Sequence, residues 1–245
     1  MTITPATHVT DIVTAAPATS AVFQRHGLEF CCGGHIPLAE ACARAGLDLD
    51  EILAELETAL ETFTDTRNWQ EAPIPDLVAH LRRTYHDPLR VELPRLAAMC
   101  DRVVERHGAS LPALGAMRYV FVRLLADLEA HLEREHNELF PAIERLAAHA
   151  DPVVDDGHPL AEAVADMDRD HAATTHAFAR LRQITCSYEP PEWACPTFRG
   201  LYQGLSQLEH RMRLHLHLEN DVLFPRALAL GHADRTGDQA PHREC

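Results

Sequence analysis

Two short stretches of this chain recur with their spacing intact. His131-x3-Glu135-x3-Leu139-Phe140-Pro141 returns as His215-x3-Glu219-x3-Leu223-Phe224-Pro225, every position shifted by 84. Residues four apart on a helix share a face, offset by about 40° around the axis and about 6 Å along it. Each His–Glu pair can therefore point at one small volume. Both pairs lie on stripes that are otherwise apolar, so both are expected in a core. A lone buried carboxylate costs several kcal/mol, and metal cations remove that penalty. A looser match relates His86 to His171, 85 apart, which completes a set of six: His86, His131, Glu135, His171, His215 and Glu219. Two cations sharing both carboxylates and taking two histidines each would satisfy all six groups. Imidazole-rich N/O ligation favours iron and is compatible with zinc or manganese. A single core histidine is ordinarily a hydrogen-bonded structural residue. Two identical pairs on separate helices are much harder to explain as packing.

Four long amphipathic segments must carry these groups. They are expected at about 75–106, 113–148, 159–186 and 197–229, separated by Gly/Pro/Asp breaks. The second carries the stripe Phe121, Leu124, Leu128, His131, Glu135, Leu139. The third carries Leu160, Val164, Met167, His171, Thr174, Phe178, Leu181, and the fourth Leu201, Leu205, Leu208, Met212, His215, Glu219, Val222. Alternating steps of three and four on long segments with short connections predict an all-α fold, an antiparallel four-helix bundle made of a duplicated hairpin. Pro88 disturbs the first segment beside His86, since it removes a backbone bond to Thr84. Other histidines (His80, His107, His136, His149, His176, His210 and His217) fall off the stripes or outside the repeat and are read as surface or supporting groups.

The chain divides into a small helical cysteine-containing domain at 1–64, a linker at 65–75, the bundle at 76–230 and a disordered polar tail at 231–245. In the first unit Thr10-Asp11 can cap a helix, Pro17 suits a first helical position, Gly27 and Gly46 stop helices, and Asp48 or Asp50 caps the last one. Its core is thin, so it must lean on another surface, and a homodimer would supply one. Cys31 and Cys32 precede Gly33-Gly34 and a helix begun by Pro37; a helix N-terminus lowers a nearby thiol pKa. A thiol pair for redox chemistry, iron transfer or docking is the preferred reading, against small buried hydrophobes. Cys42, Cys100, Cys186, Cys195 and Cys245 show no pattern.

Composition narrows the function. The formal charge of −15 argues against a protein that grips nucleic acid or anionic membranes. All 22 cationic side chains are arginine, which excludes P-loop and Schiff-base lysines. The longest apolar run, 114–128, is broken by Arg118 and Arg123, so no bilayer-spanning helix is expected. The first residues lack a secretory pattern, and seven cysteines, an odd number, read as thiols of a cytoplasmic protein.

At Phe30-Cys31-Cys32-Gly33-Gly34, Tyr85-His86-Asp87, Asp170-His171 and the two His-x3-Glu…Leu-Phe-Pro runs, the chain resembles the iron–sulfur cluster repair di-iron proteins. The resemblance covers residues 5–230 and implies a hemerythrin-like bundle behind a small cysteine domain. It implies that His86, His131, Glu135, His171, His215 and Glu219 hold two irons, with both glutamates and an exchangeable oxygen bridging. It further implies a stress protein restoring clusters damaged by nitric oxide or oxidants, with a labile iron pair, iron–sulfur client proteins, and nitric oxide or O2 as small ligands. Alternatives are a nitric oxide- or O2-reducing oxidoreductase, a redox or gas sensor, or a non-catalytic zinc bundle. Two departures stand out. Pro88 and Leu89 occupy a region where the family often has a second histidine. The O2-carrier pattern is not met either, because position 175 is threonine and His176 is rotated by about 140° from His171.

Overall fold

The structure, a computed structural model, describes residues 2–30, 34–61, 68–148 and 159–237. Among these it is all-α, and a bridge pairing joins His8 to Pro37. The N-terminal unit contains α1 (Val9–Ala15), a 3-10 turn (Pro17–Thr19), α2 (Ser20–Arg25), α3 (Leu38–Ala45) and α4 (Leu49–Glu61). Helix α1 begins two residues earlier than a Thr10 cap would place it. Its first N–H groups are satisfied by backbone instead: Val9 donates to the Ile36 carbonyl and Thr10 to that of Gly34. Gly34 must be glycine, because a Cβ there would lie 2.8 Å from Thr10 Cγ2 and 2.9 Å from the Phe30 backbone. Asp48 is the cap of α4, accepting from the N–H groups of Asp50 and Glu51.

Four long helices follow. We take α5 as Ile74–Leu81, a π-helical turn Arg82–His86 and Asp87–His107. Helix α6 is Ala113–Arg134, the π turn Glu135–Leu139 and Phe140–Ala147; α7 is Leu160–Ile184. Helix α8 is Pro196–Leu218, the π turn Glu219–Leu223 and Phe224–Gly237. It thus runs past 230 into the expected tail, since no proline interrupts residues 226–240; residues 238–245 lie outside the described residues. Helix α6 packs against both α5 and α7, and α8 closes the bundle against α5.

The π turns have a local cause. Each ends two residues before a proline: Pro88, Pro141 and Pro225. Proline has no N–H and its ring clashes with the carbonyl four residues back, and at these three the ladder slips by one residue, whereas Pro94 lies within α5 without a π turn. The slipped bonds are Asp87 N–H to Arg82, Phe140 N–H to Glu135 and Phe224 N–H to Glu219. Pro88 therefore redirects α5 rather than breaking it, and His86 ends 1% exposed.

Every residue of the three predicted stripes is buried. One apolar cluster runs without interruption from Val9, Phe23 and Phe30 of the N-terminal unit into Leu93, Leu128, Leu205 and Met212 of the bundle. A second, around Leu77, Phe140, Val164 and Phe224, fills the bundle's other end. The surface on which the thin N-terminal unit leans is thus its own bundle. Among the described residues no helix is long and apolar enough to cross a membrane.

Candidate metal centre

The six predicted groups meet. Two sets of four form within the bundle, His86–Glu135–His215–Glu219 and His131–Glu135–His171–Glu219, each with its ligand atoms within 4.8 Å of one another. Both glutamates belong to both sets, which is the geometry of two cation positions bridged by two carboxylates. All six side chains are at most 2% exposed. His86 Nε2 lies 3.4 Å and His131 Nε2 3.2 Å from Glu135 Oε2; His171 Nε2 lies 3.4 Å from Glu219 Oε2 and His215 Nε2 2.8 Å from Glu219 Oε1. Each position takes one histidine from each half of the duplicated chain, a pairing the repeat alone does not reveal.

The repeated Leu-Phe-Pro acquires a meaning here. The proline makes the π turn that starts at the glutamate, and the phenylalanine stacks on a histidine of its own half: Phe140 on His86 at 5.2 Å and Phe224 on His171 at 5.8 Å. Tyr85 stacks on His215 at 5.5 Å. These rings pack against the faces of three of the four imidazoles.

Whether the residues fit cations can be tested on their polar atoms. Buried polar atoms normally find partners. Yet His131 Nε2, His171 Nε2, both oxygens of Glu135 and Glu219 Oε2 have none by hydrogen-bond geometry. His86 Nε2 faces His215 Nε2 at 3.0 Å. Unpaired ligand atoms from three helices, converging with His86 Nε2 from the fourth, fit a pair of hard or borderline cations.

Burial depresses the His86 imidazole to about 3, helped by the nearby His215, and depresses those of His171 and His215 to about 4. All three are thereby held neutral, the form that binds metal. Burial also pushes His131 down, but Glu135, Glu219 and Asp170 outweigh it and raise it to about 9. Burial and the Glu135 charge raise Glu219, whereas His131 holds Glu135 low against its burial. The metal-free protein should therefore lose several kcal/mol of stability as pH falls from 6.5 towards 4. In that window the unfolded chain binds protons that the three depressed histidines refuse. His131 and Glu219 contribute with the opposite sign: that of His131 is present below 6.5 and fades as pH rises through about 9, and the raised Glu219 carboxyl offsets part of the loss as pH falls. Urea midpoints of chelator-stripped protein across this range test it; a flat profile contradicts it.

Outside the six, Asn220 Oδ1 accepts from His171 Nδ1 at 2.7 Å, which leaves Nε2 free to bind metal. Asn220→Ala should weaken the His131–His171 position about tenfold to a hundredfold, read by competition with a chromophoric chelator, while sparing the other position. His217 corrects an expectation. It is 1% exposed, not at the surface, and lies against the N-terminal unit. Its Nε2 meets Thr14 Oγ1 at 2.9 Å, its Nδ1 meets Asp221 at 2.7 Å, and Phe30 packs edge-on to its ring. His35, just after Gly34, pairs with the other Asp221 oxygen at 3.1 Å. The signal was present, because His217-x3-Asp221 is a third imidazole–carboxylate pair at helical spacing. His136 and His176 are exposed and His80, His107 and His210 partly so, while His149, Cys31 and Cys32 lie outside the described residues. Cys42 and Cys100 are buried, and burial raises both thiols, that of Cys100 to about 11, as expected of packing residues.

Comparison with known proteins agrees with this geometry. Residues 77–227 match the hemerythrin HHE cation binding domain and residues 6–60 match a domain of unknown function, DUF542. The iron-sulfur cluster repair protein YtfE of Yersinia pseudotuberculosis serotype IB (strain PB1/+) is 32% identical over 214 residues, covering 87% of this chain and 93% of that protein. YtfE of Pectobacterium carotovorum subsp. carotovorum (strain PC1) is 31% identical over 219 residues, 89% of this chain and 95% of its own. Two glutamates shared by two sets of buried histidines, in a hemerythrin HHE bundle behind a DUF542 unit, place the chain in the iron–sulfur cluster repair family of hemerythrin-domain proteins.

Proposed function

We propose that this chain is a non-haem di-iron protein that supports repair of iron–sulfur clusters damaged by nitric oxide or oxidants, acting as a donor of labile iron. The observation that carries the reading is the sharing of Glu135 and Glu219 by two buried sets of ligands. His86 and His215 would hold one iron, His131 and His171 the other, with the glutamates bridging. Bound there, the pair supplies exchangeable iron for rebuilding a cluster. The names of the relatives support the repair role.

In this reading the bundle at 76–230 stores the metal. The unit at 1–64 carries the thiols Cys31 and Cys32, which guide iron towards a client. Clients are iron–sulfur proteins, and the thiol-rich composition suits a cytoplasmic setting.

Iron-loaded protein should reactivate a cluster enzyme inactivated by nitric oxide, with iron lost from the donor in proportion. Glu219→Leu protein should not, and His131→Leu protein, which keeps one position, should rescue less. Equal rescue by the ligand variants defeats the proposal, and N2O formation with iron retained would make the protein a reductase instead.

A further inference from the structure

A cleft of about 630 Å³ opens where α2 of the N-terminal unit meets α8 and the turn after α7. It lies outside the metal centre and shares no residue with it. Cavities of this size hold small molecules.

The walls have a consistent chemistry. Arg25 comes from α2, Arg182 from the end of α7, and His210 and Arg211 from α8, with Tyr188 and Glu209 behind them. Glu209 is the only carboxylate among the lining residues, and both its oxygens are engaged. Oε2 accepts from Tyr188 Oη at 2.7 Å, and Oε1 accepts from Arg213 at 3.2 Å and lies 3.1 Å from Arg182. Arg25 already meets Glu55, through one guanidinium nitrogen. Arg182 and His210 each also carry a buried nitrogen without a partner, Nε and Nδ1. Among the lining residues three guanidiniums, those of Arg25, Arg182 and Arg211, stand against one carboxylate, in a chain of net charge −15.

The turn is built at a cost. Cys186, Ser187 and Tyr188 have φ of 49°, 61° and 62°, three successive side-chain-bearing residues in the left-handed region. Such residues cost on the order of 1–3 kcal/mol each and persist where surrounding contacts over-determine them. Here Tyr188 is held by Glu209 through its hydroxyl and by Thr185 Oγ1 through its N–H. Ser187 and Tyr188 stand in the cleft wall.

We propose that this cleft binds a small organic anion, a molecule bearing a phosphate or carboxylate group, across the junction between the N-terminal unit and the bundle. Guanidiniums from both units, Arg25 and Arg211, donate to it. Because the two faces belong to different units, its occupancy also fastens one to the other.

Titration calorimetry on iron-loaded, full-length protein tests this, with inorganic phosphate in one arm and succinate in the other at constant ionic strength. One-to-one binding is expected in at least one arm, which names the head group. Arg211→Gln and Arg25→Gln, both at exposed side chains, should each weaken it about tenfold through loss of a charge-assisted hydrogen bond. The near-ultraviolet absorption of the iron pair should not change. No saturable binding in either arm, binding that both variants retain, or binding that alters the iron spectrum overturns the proposal.

Discussion

Replacing Glu219 by alanine should empty both cation positions, not one. Glu135→Ala should do the same, because each carboxylate belongs to both sets of four. His86→Leu or His171→Leu removes a ligand from one position only and should leave a chain that still retains about one ion. Metal content per chain after gel filtration reads the difference directly. The expected pattern is about two ions in the parent, near zero in either glutamate variant and about one in either histidine variant. If the glutamate and histidine variants lose metal equally, the carboxylates are not shared and the bridged arrangement is wrong. The same glutamate variants should abolish cluster rescue, which ties the metal count to the function.

The second large effect lies away from the metal. Glu209 is 1% exposed and binds Tyr188, Arg182 and Arg213, the last 4% exposed and also paired with Glu29 of the N-terminal unit at 2.8 Å. Glu209→Ala takes the buried partner from two guanidiniums at once and should destabilise the fold by about 3–5 kcal/mol. Glu209→Gln keeps the shape and an acceptor and should recover part of that loss. Glu55→Ala removes a more exposed partner, of Arg25 and His26, and should cost less than about 1 kcal/mol. Urea unfolding at equal metal content ranks the three. A Glu209→Ala protein as stable as the Glu55→Ala protein would show that the buried network contributes little.

The whole network around Glu209 was missed in the sequence, and the reason is geometric. Glu209, Arg213 and His217 lie four apart on α8, on a face turned away from the His215–Glu219 stripe. A polar row on a helix reads as a solvated face unless something covers it, and here the N-terminal unit does. Met212, Arg213 and every residue from His215 to Glu219 are buried, so this part of α8 is enclosed on both sides. Helical periodicity assigns a residue to a face. It says nothing about what lies opposite that face.

By itself the sequence determined the helices, their inward stripes and the six metal-seeking groups. Those follow from local rules: about 100° of rotation per residue, proline's missing N–H, and the cost of burying imidazole and carboxylate without a partner. Only the tertiary structure decided which histidines share a cation, how Pro88 leaves His86 in the core, and that the N-terminal unit rests on α8 through Thr14, Glu29 and Phe30. Those depend on distances between segments far apart in the chain, which spacing along one helix does not encode.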